Sequence, residues 1–367
     1  MSSKQKIKEE LFAIVIGALI LCFYALNNKF PLLFEKSGNF IDNGFSEKKH
    51  TTGESLYSFF VAHASWGKSL WFVVYSQSVL LILVLYYYFH FFIENHRSRL
   101  IYYYGYIFFI SFLMSASIAA STISPIIFGS TSLLSIGLLF FVKHLNFERT
   151  LIISVIAIVS SAMDTATILT MALIFVASPV IYLFIKGEQR VNWRTLFSRF
   201  AIVGMFSIAL FLSVNKVTGK SETGFQWNNW HAGLRNLTVE FKSISIPKFK
   251  KPTVEGPAIT AVENWFTSDI RECYLSKQIA GAETFDMIRM SQWMVLLLTT
   301  CACIYLLIKT KFHNNLILYL LASLLLTFIV RSGVSGKLED GLWGFVWILP
   351  LPLFLFPVLP NHNLNEK

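Results

Sequence analysis

Charged side chains are scarce in this chain. Asp, Glu, Lys and Arg make up 14% of its 367 residues, against about a quarter in an ordinary soluble domain. With 54% hydrophobic and 16% aromatic residues and a mean hydropathy of +0.57, that shortage excludes a water-soluble globular protein of this length. Cysteine is sparse as well. Cys22, Cys273, Cys301 and Cys303 are too scattered to imply a disulfide framework. The eight histidines lack zinc-ligand spacing, so no metal is expected. No phosphate-cradling glycine loop, nucleophile elbow or internal repeat is present, and no cofactor is expected.

What the chain does have is long apolar runs. A hydrocarbon core about 30 Å thick takes about 20 such residues per helix. Runs of this kind extend over Leu11 to Leu26, Leu70 to Ile93, Leu100 to Ser121, Pro125 to Val142 and Thr150 to Ser161. Others cover Thr167 to Ile185, Phe200 to Val214, Trp293 to Ile308, Asn315 to Val330 and Leu342 to Val358. The expected fold is therefore all-α, a polytopic transmembrane helical bundle of about ten spans with one large extracytoplasmic loop. The fifth run is short enough to be tilted, re-entrant or buried against neighbours. Residues 1–214 form an N-terminal transmembrane region with a first outer loop at 27–69. Residues 215–291 form the large loop, and residues 292–367 carry the C-terminal transmembrane helices. Within the large loop, Pro257, Ile259, Val262, Phe266 and Ile270 have the spacing of an interfacial amphipathic helix. A helix packed over the bundle fits the same stripe.

Orientation follows from Lys and Arg in the short connections. Lys4, Lys6, Lys8, Arg97, Arg99, Lys143, Arg149, Arg194 and Arg199 fall on one side, which places both termini in the cytoplasm. Tyr86, Tyr87 and Tyr88, with Tyr102, Tyr103 and Tyr104, are expected to form an aromatic belt at that inner boundary. The net charge of +10 is what such anchoring produces, so no nucleic-acid partner is expected. Inner connections are also too short for a nucleotide-binding domain. Energy for any chemistry has to arrive with the substrate.

Two interruptions stand out, Ser121 to Pro125 and Ser160 to Thr167. Pro125 suits the first turn of a helix and Ser124 its N-cap, while Asp164 and Thr165 can cap the helix after the second break. Both breaks are expected to open on the outer face. Two helix N-termini there favour an anion, and broken helices recur in membrane proteins as ligand sites. Asp164 is the only acid between Glu148 and Glu188. It is either a simple cap or a group that handles a ligand. Arg331, just after the ninth run, and Lys337, just before the tenth, bring cations to the same face. Each is either an anchor or a phosphate ligand.

The first outer loop holds Phe40-Ile-Asp42-Asn-Gly44 and Thr51-Thr-Gly-Glu54, and ends at Trp66-Gly-Lys68-Ser-Leu-Trp71. With Tyr75-Ser-Gln77-Ser, Ile123-Ser-Pro125 and the hairpin around Asp164, this layout resembles the GT-C class of membrane glycosyltransferases. It is also similar to a group of bacterial inner-membrane proteins. The resemblance covers about the first two hundred residues. It implies transfer of a sugar from a polyprenyl-phosphate donor on the periplasmic face, with Asp42 as catalytic base. Ser124, Asp164, Arg331 and Lys337 are the candidate substrate-binding residues. Asn43 stands where the family commonly has a second acid, and the large soluble C-terminal domain of many members is absent. The expected partners are the lipid bilayer, a lipid-phosphate-linked sugar and other membrane subunits. The competing expectation is a non-catalytic membrane subunit or a transporter.

Overall fold

A computed structural model describes residues 3–29, 31–33, 35–45, 55–114, 116–142, 145–184, 193–218, 297–308, 315–335 and 346–355. The large loop at 215–291 falls almost wholly outside these residues, as do Lys337 and the expected interfacial helix. The described residues are all-α, with one isolated parallel bridge, Leu32 to Thr122.

The elements in chain order are α1 (Ser3–Leu21), α2 (Phe23–Asn28), α3 (Glu35–Phe45), α4 (Ser55–Ser65), α5 (Trp71–Phe92) and α6 (His96–Leu113). Then come α7 (Ala116–Ser121), α8 (Ile126–Phe141), α9 (Phe147–Ala162), α10 (Thr165–Phe184) and α11 (Trp193–Thr218). The C-terminal part holds α12 (Leu297–Ile308), α13 (Asn315–Ser335), a 3-10 turn at Val346–Ile348 and α14 (Leu351–Leu355).

Helix α8 is the axis of the structure, with every residue from Ile127 to Phe140 buried. It packs on α5, α9, α10 and α13, while α1 lies on α5 and α6, and the α3–α4 hairpin lies on α5 and α11. Several hydroxyls inside this bundle are satisfied locally. Ser78, Thr131, Ser135, Thr170 and Thr327 each donate a hydroxyl to the carbonyl four residues earlier, at 2.7–2.9 Å. Such back-bonding lets hydroxyls sit in an apolar interior at little cost. Hydroxyls also pair between helices, as Ser132 Oγ does with Ser161 Oγ at 2.8 Å.

The helix ends divide the structure into two poles. At one pole, Asn95 caps α6 by accepting from the Arg97 and Ser98 N–H groups, and Asn146 caps α9 by accepting from Arg149 N–H. Arg199 closes the C-terminus of α8, donating to the Leu139 and Val142 carbonyls at 3.1 and 3.2 Å, and Arg149 lies over the Phe91 ring at 5.3 Å. Among the described residues, Arg97, Arg99, Arg149 and Arg199 thus gather at one end of the bundle.

Several expected spans change shape. Helices α5 and α11 are long and apolar enough to cross a membrane, and α8, α12 and residues 165–177 are shorter apolar helices. The first run breaks at Cys22 and the third between α6 and α7. The expected first outer loop contains two helices, α3 and α4. The last run is not one helix where it is described. Pro350 and Pro352, which remove backbone donors, divide residues 346–355 into a 3-10 turn and a single short helix. The tyrosine belt is corrected for half of its members, while Tyr87, Tyr102 and Tyr104 are partly exposed. Tyr86, Tyr88 and Tyr103 are at most 3% exposed and point into the core.

Candidate functional site

At the pole opposite the basic turns, both breaks open beneath α4. Tyr57 and Phe60 of α4 meet the ring of Phe128, in the first turn of α8, with centroids 5.9 and 5.2 Å apart. Leu56, one residue earlier, packs with Ala162 and Ile168, on either side of the second break, and with Phe211 of α11. The two interrupted segments therefore lie at the same end of the bundle, with α3, the helix bearing Asp42, packed on α4.

A helix end leaves carbonyls without partners, and in an apolar interior each must find a donor. The first break shows where these donors come from. The Ile118 carbonyl accepts from Thr122 Oγ1 at 2.7 Å. Gln77 Nε2, on α5, donates to both the Ala120 and Thr122 carbonyls, at 2.6 and 2.8 Å. Ser121 O accepts from Leu32 N–H at 2.8 Å, and Leu32 O accepts in turn from Ile123 N–H at 3.1 Å. The Ile123 carbonyl accepts from Ser37 Oγ of α3 at 2.8 Å. On the other side, Ser117 and Ser121 hydroxyls accept from the Tyr24 and Ala25 N–H groups of α2. Gln77 is fully buried, and its own oxygen faces the Tyr57 hydroxyl at 3.4 Å. Carbonyls at this break are therefore occupied by the protein itself, and on the N-terminal side of α8 the Phe128 N–H donates to the Pro125 carbonyl at 2.9 Å.

There Pro125 adopts helical angles, φ −71° and ψ −6°, and the half-buried Ser124 hydroxyl stands 3.5 Å from Ile126 N–H. The expected placement is therefore shifted by one residue: Pro125 itself takes the N-cap position of α8, without a side-chain cap, and Ser124 precedes it. The second break is tighter. Asp164, 6% exposed, accepts from Ala166 N–H through Oδ1 at 3.3 Å and from the Thr167 hydroxyl through Oδ2 at 2.9 Å. Its carboxylate already occupies the place an anionic ligand would take at the N-terminus of α10. Of the two readings of Asp164, the geometry bears out the cap.

Asp42 sits near the end of α3, half-buried, directly after the buried Phe40 and Ile41. Phe40 packs edge-on to Tyr57 at 5.0 Å, and Gly44 lies so close to α4 that an added Cβ would stand 2.5 Å from the Ser58 carbonyl. Asp42 is thus fixed relative to α4, and Ser37 fixes the same helix to the first break. Arg331 lies inside α13, not after it, because that helix runs on to Ser335; its side chain falls outside the described residues, as Lys337 does entirely.

Ser124 and Asp164 are brought to one end of the bundle, with the Asp42 helix above them. Gln77, Ser37 and Leu32 were not among the expected site residues. A signal for Gln77 was present, a lone amide in an apolar run, whereas nothing in the sequence marks Ser37 or Leu32 as partners of residues about ninety positions away. No protein-family model, curated protein or solved structure matches this chain.

Proposed function

We propose that this chain is a multi-pass protein of the bacterial inner membrane, with about ten spans and both termini cytoplasmic. In this reading it is a GT-C-like glycosyltransferase working on its periplasmic face. The observation that carries the proposal is the placement of both breaks beneath α4, with Ser37 joining the Asp42 helix to the first of them. Apolar exposure supports the membrane setting: Met205, Phe206 and Leu212 of α11, with Leu11 and Phe12 of α1, are 57–65% exposed, more outward apolar surface than a soluble protein leaves bare.

Asp42 is the general base. Its carboxylate takes the proton from an acceptor hydroxyl, and that oxygen attacks the anomeric carbon of a polyprenyl-phosphate-linked sugar. The bond from that carbon to the phosphate oxygen breaks, and the lipid phosphate leaves as an anion. Ser124 and the N-terminus of α8 face that anion, with Arg331 and Lys337 completing the countercharge. Asp164 acts through α10, holding its first turn in place. The occupied carbonyls of the first break favour this fixed site over a transporter's moving path.

The test is reconstitution in liposomes containing labelled polyprenyl-phosphate sugars and a hydroxyl acceptor. The wild-type chain transfers the label, and Asp42→Asn reduces turnover by about 10²–10⁴-fold with unchanged abundance and helix content. Full transfer by D42N, or no transfer by the wild type from any such donor, turns the reading toward a non-catalytic subunit.

A further inference from the structure

Helix α4 has a face that the proposed reaction does not use. Its eleven residues include no Asp, Glu, Lys or Arg. Tyr57, Ser58, Val61 and Ser65 are buried against the bundle. Phe59, His63 and Trp66 follow one another along the opposite side, and Phe72, in the first turn of α5, extends the row; all four are exposed. The Phe59 and His63 rings stack with centroids 3.8 Å apart, His63 Nδ1 donates to the Phe59 carbonyl at 2.9 Å, and the Trp66 ring lies 5.9 Å from Phe72. Phe59, Trp66 and Phe72 are 56%, 75% and 48% exposed. Trp66 has φ +52°, a left-handed backbone that a bulky residue rarely takes. The turn enforces it: Trp66 N–H donates to His63 O at 3.2 Å, and the Lys68 and Ser69 N–H groups donate to Ser65 O at 2.9 and 3.1 Å. Ser65 Oγ accepts from Gly67 N–H at 3.3 Å.

Depth is set by α5. Its 22 residues reach about 33 Å, close to the thickness of a bilayer core. The Tyr57 hydroxyl meets Gln77 at 3.4 Å, and Gln77 lies about 9 Å along α5 from its first residue. Helix α4 therefore rises beside the first turns of α5, and Phe59 falls below the level at which α5 begins. We propose that, in a membrane, this face is seated in the leaflet on the side of the breaks, with Phe59 and Phe72 at the acyl boundary and Trp66 and Lys68 at the headgroups. This seating depends on the membrane setting alone and holds whether or not the chain transfers a sugar. In water the row would leave three large rings bare on a helix with no carboxylate, lysine or arginine to solvate it. At an interface each group has its place: the phenyl rings bury, the indole keeps its N–H at the wet edge, and the exposed Lys68 reaches headgroup phosphates. A carbohydrate platform would use Trp66 but leave Phe59 without a purpose. Because α3 packs on α4 through Gly44 and Ser58, Asp42 comes near headgroup depth, where a lipid-borne phosphate lies.

Quenching of a polarity-sensitive dye tests this, on the full chain with its native cysteines replaced, in nanodiscs of phosphatidylcholine and phosphatidylglycerol. A dye at Phe59→Cys is expected to be quenched about twofold more by a lipid carrying a nitroxide near the headgroup than by one carrying it near the acyl end, and to resist iodide in the water. Phe72→Cys, read in the same way, covers the case in which the Phe59 variant does not fold. Quenching by iodide and by neither lipid overturns the proposal in favour of a water-facing platform. A dye shielded from all three quenchers overturns it as well, since protein then covers the face, and so does stronger quenching by the acyl-end lipid. Met205→Cys, on the exposed side of α11, separates two failures, because its dye is quenched best by the acyl-end lipid in any membrane-spanning arrangement. If Met205 behaves so while Phe59 and Phe72 do not behave as expected, the seating of α4 alone falls; if Met205 also meets iodide, the membrane setting falls with it.

Discussion

Glycine and tyrosine act together in this structure. Tyr103 donates its hydroxyl to the Ala13 carbonyl at 3.1 Å, and Gly17 lies four residues further along the same helix. Tyr319 donates to Leu133 O at 3.0 Å and Tyr88 to Leu134 O at 2.8 Å, with Gly137 four and three residues on. Helical side chains tilt back over the preceding turn and shade its carbonyls; a glycine leaves a notch through which a phenol can reach one. A Cβ at Gly17 would stand 2.6 Å from Tyr103 Oη, and one at Gly137 would collide with the Tyr88 hydroxyl. Gly137→Ala is therefore expected to cost about 1–3 kcal/mol as an overpacking change. Tyr88→Phe costs about 1 kcal/mol, and the double variant costs clearly less than their sum. Denaturant titration in detergent measures the cycle, and strict additivity would sink the notch. This pairing explains why Tyr88 and Tyr103, expected at a boundary, lie in the core instead. A hydropathy pattern ranks tyrosine as a boundary residue and carries no record of a glycine on another helix that gives its hydroxyl a carbonyl. Asp164 was more legible, because a cap is a local relation among three or four successive residues.

Breaks are legible at the element scale where proline or a capping side chain causes them, and both breaks lie where Pro125 and Asp164 put them. Their partners come from distant elements and were not. Gln77 shows the difference: it was read within a family-like run, yet its amide joins α5, the first break and α4 through three contacts. Gln77→Leu keeps the volume and removes both donors, leaving the Ala120 carbonyl without its side-chain partner inside the bundle. The expected loss is about 2 kcal/mol, with faster amide exchange confined to residues near the first break. A neutral Q77L would mean that Leu32 and Ser37 suffice to hold the segment. The two helices inside the expected first outer loop were not legible for a related reason. Helices α3 and α4 are too short to register as spans, and what defines them is their packing on each other and the docking of α4 on α5 and α11.

The whole molecule has two unlike poles, one lined with arginine and histidine, the other with the breaks and the α3–α4 hairpin. Its all-α class and this polarity were legible from composition and charge, since both are sums over many residues. Which pole faces which compartment is a question for labelling. With the native cysteines replaced, Trp66→Cys and Phe147→Cys place thiols at opposite poles, at positions 75% and 82% exposed. A membrane-impermeant maleimide added to right-side-out vesicles is expected to modify the first and spare the second. The reverse pattern would move Ser124 and Asp164 to the inner side and end the transferase reading. Helix α8 bears on how such a molecule is made. Its 16 residues reach about 24 Å, less than the thickness of a bilayer, and its buried run presents no face to a surrounding solvent of any kind. In the proposed membrane setting, a segment without an outward face has nothing to gain from leaving an insertion channel sideways on its own. It has to be sheltered until α13, translated nearly two hundred residues later, closes over it, so the centre of this protein is completed by its far end.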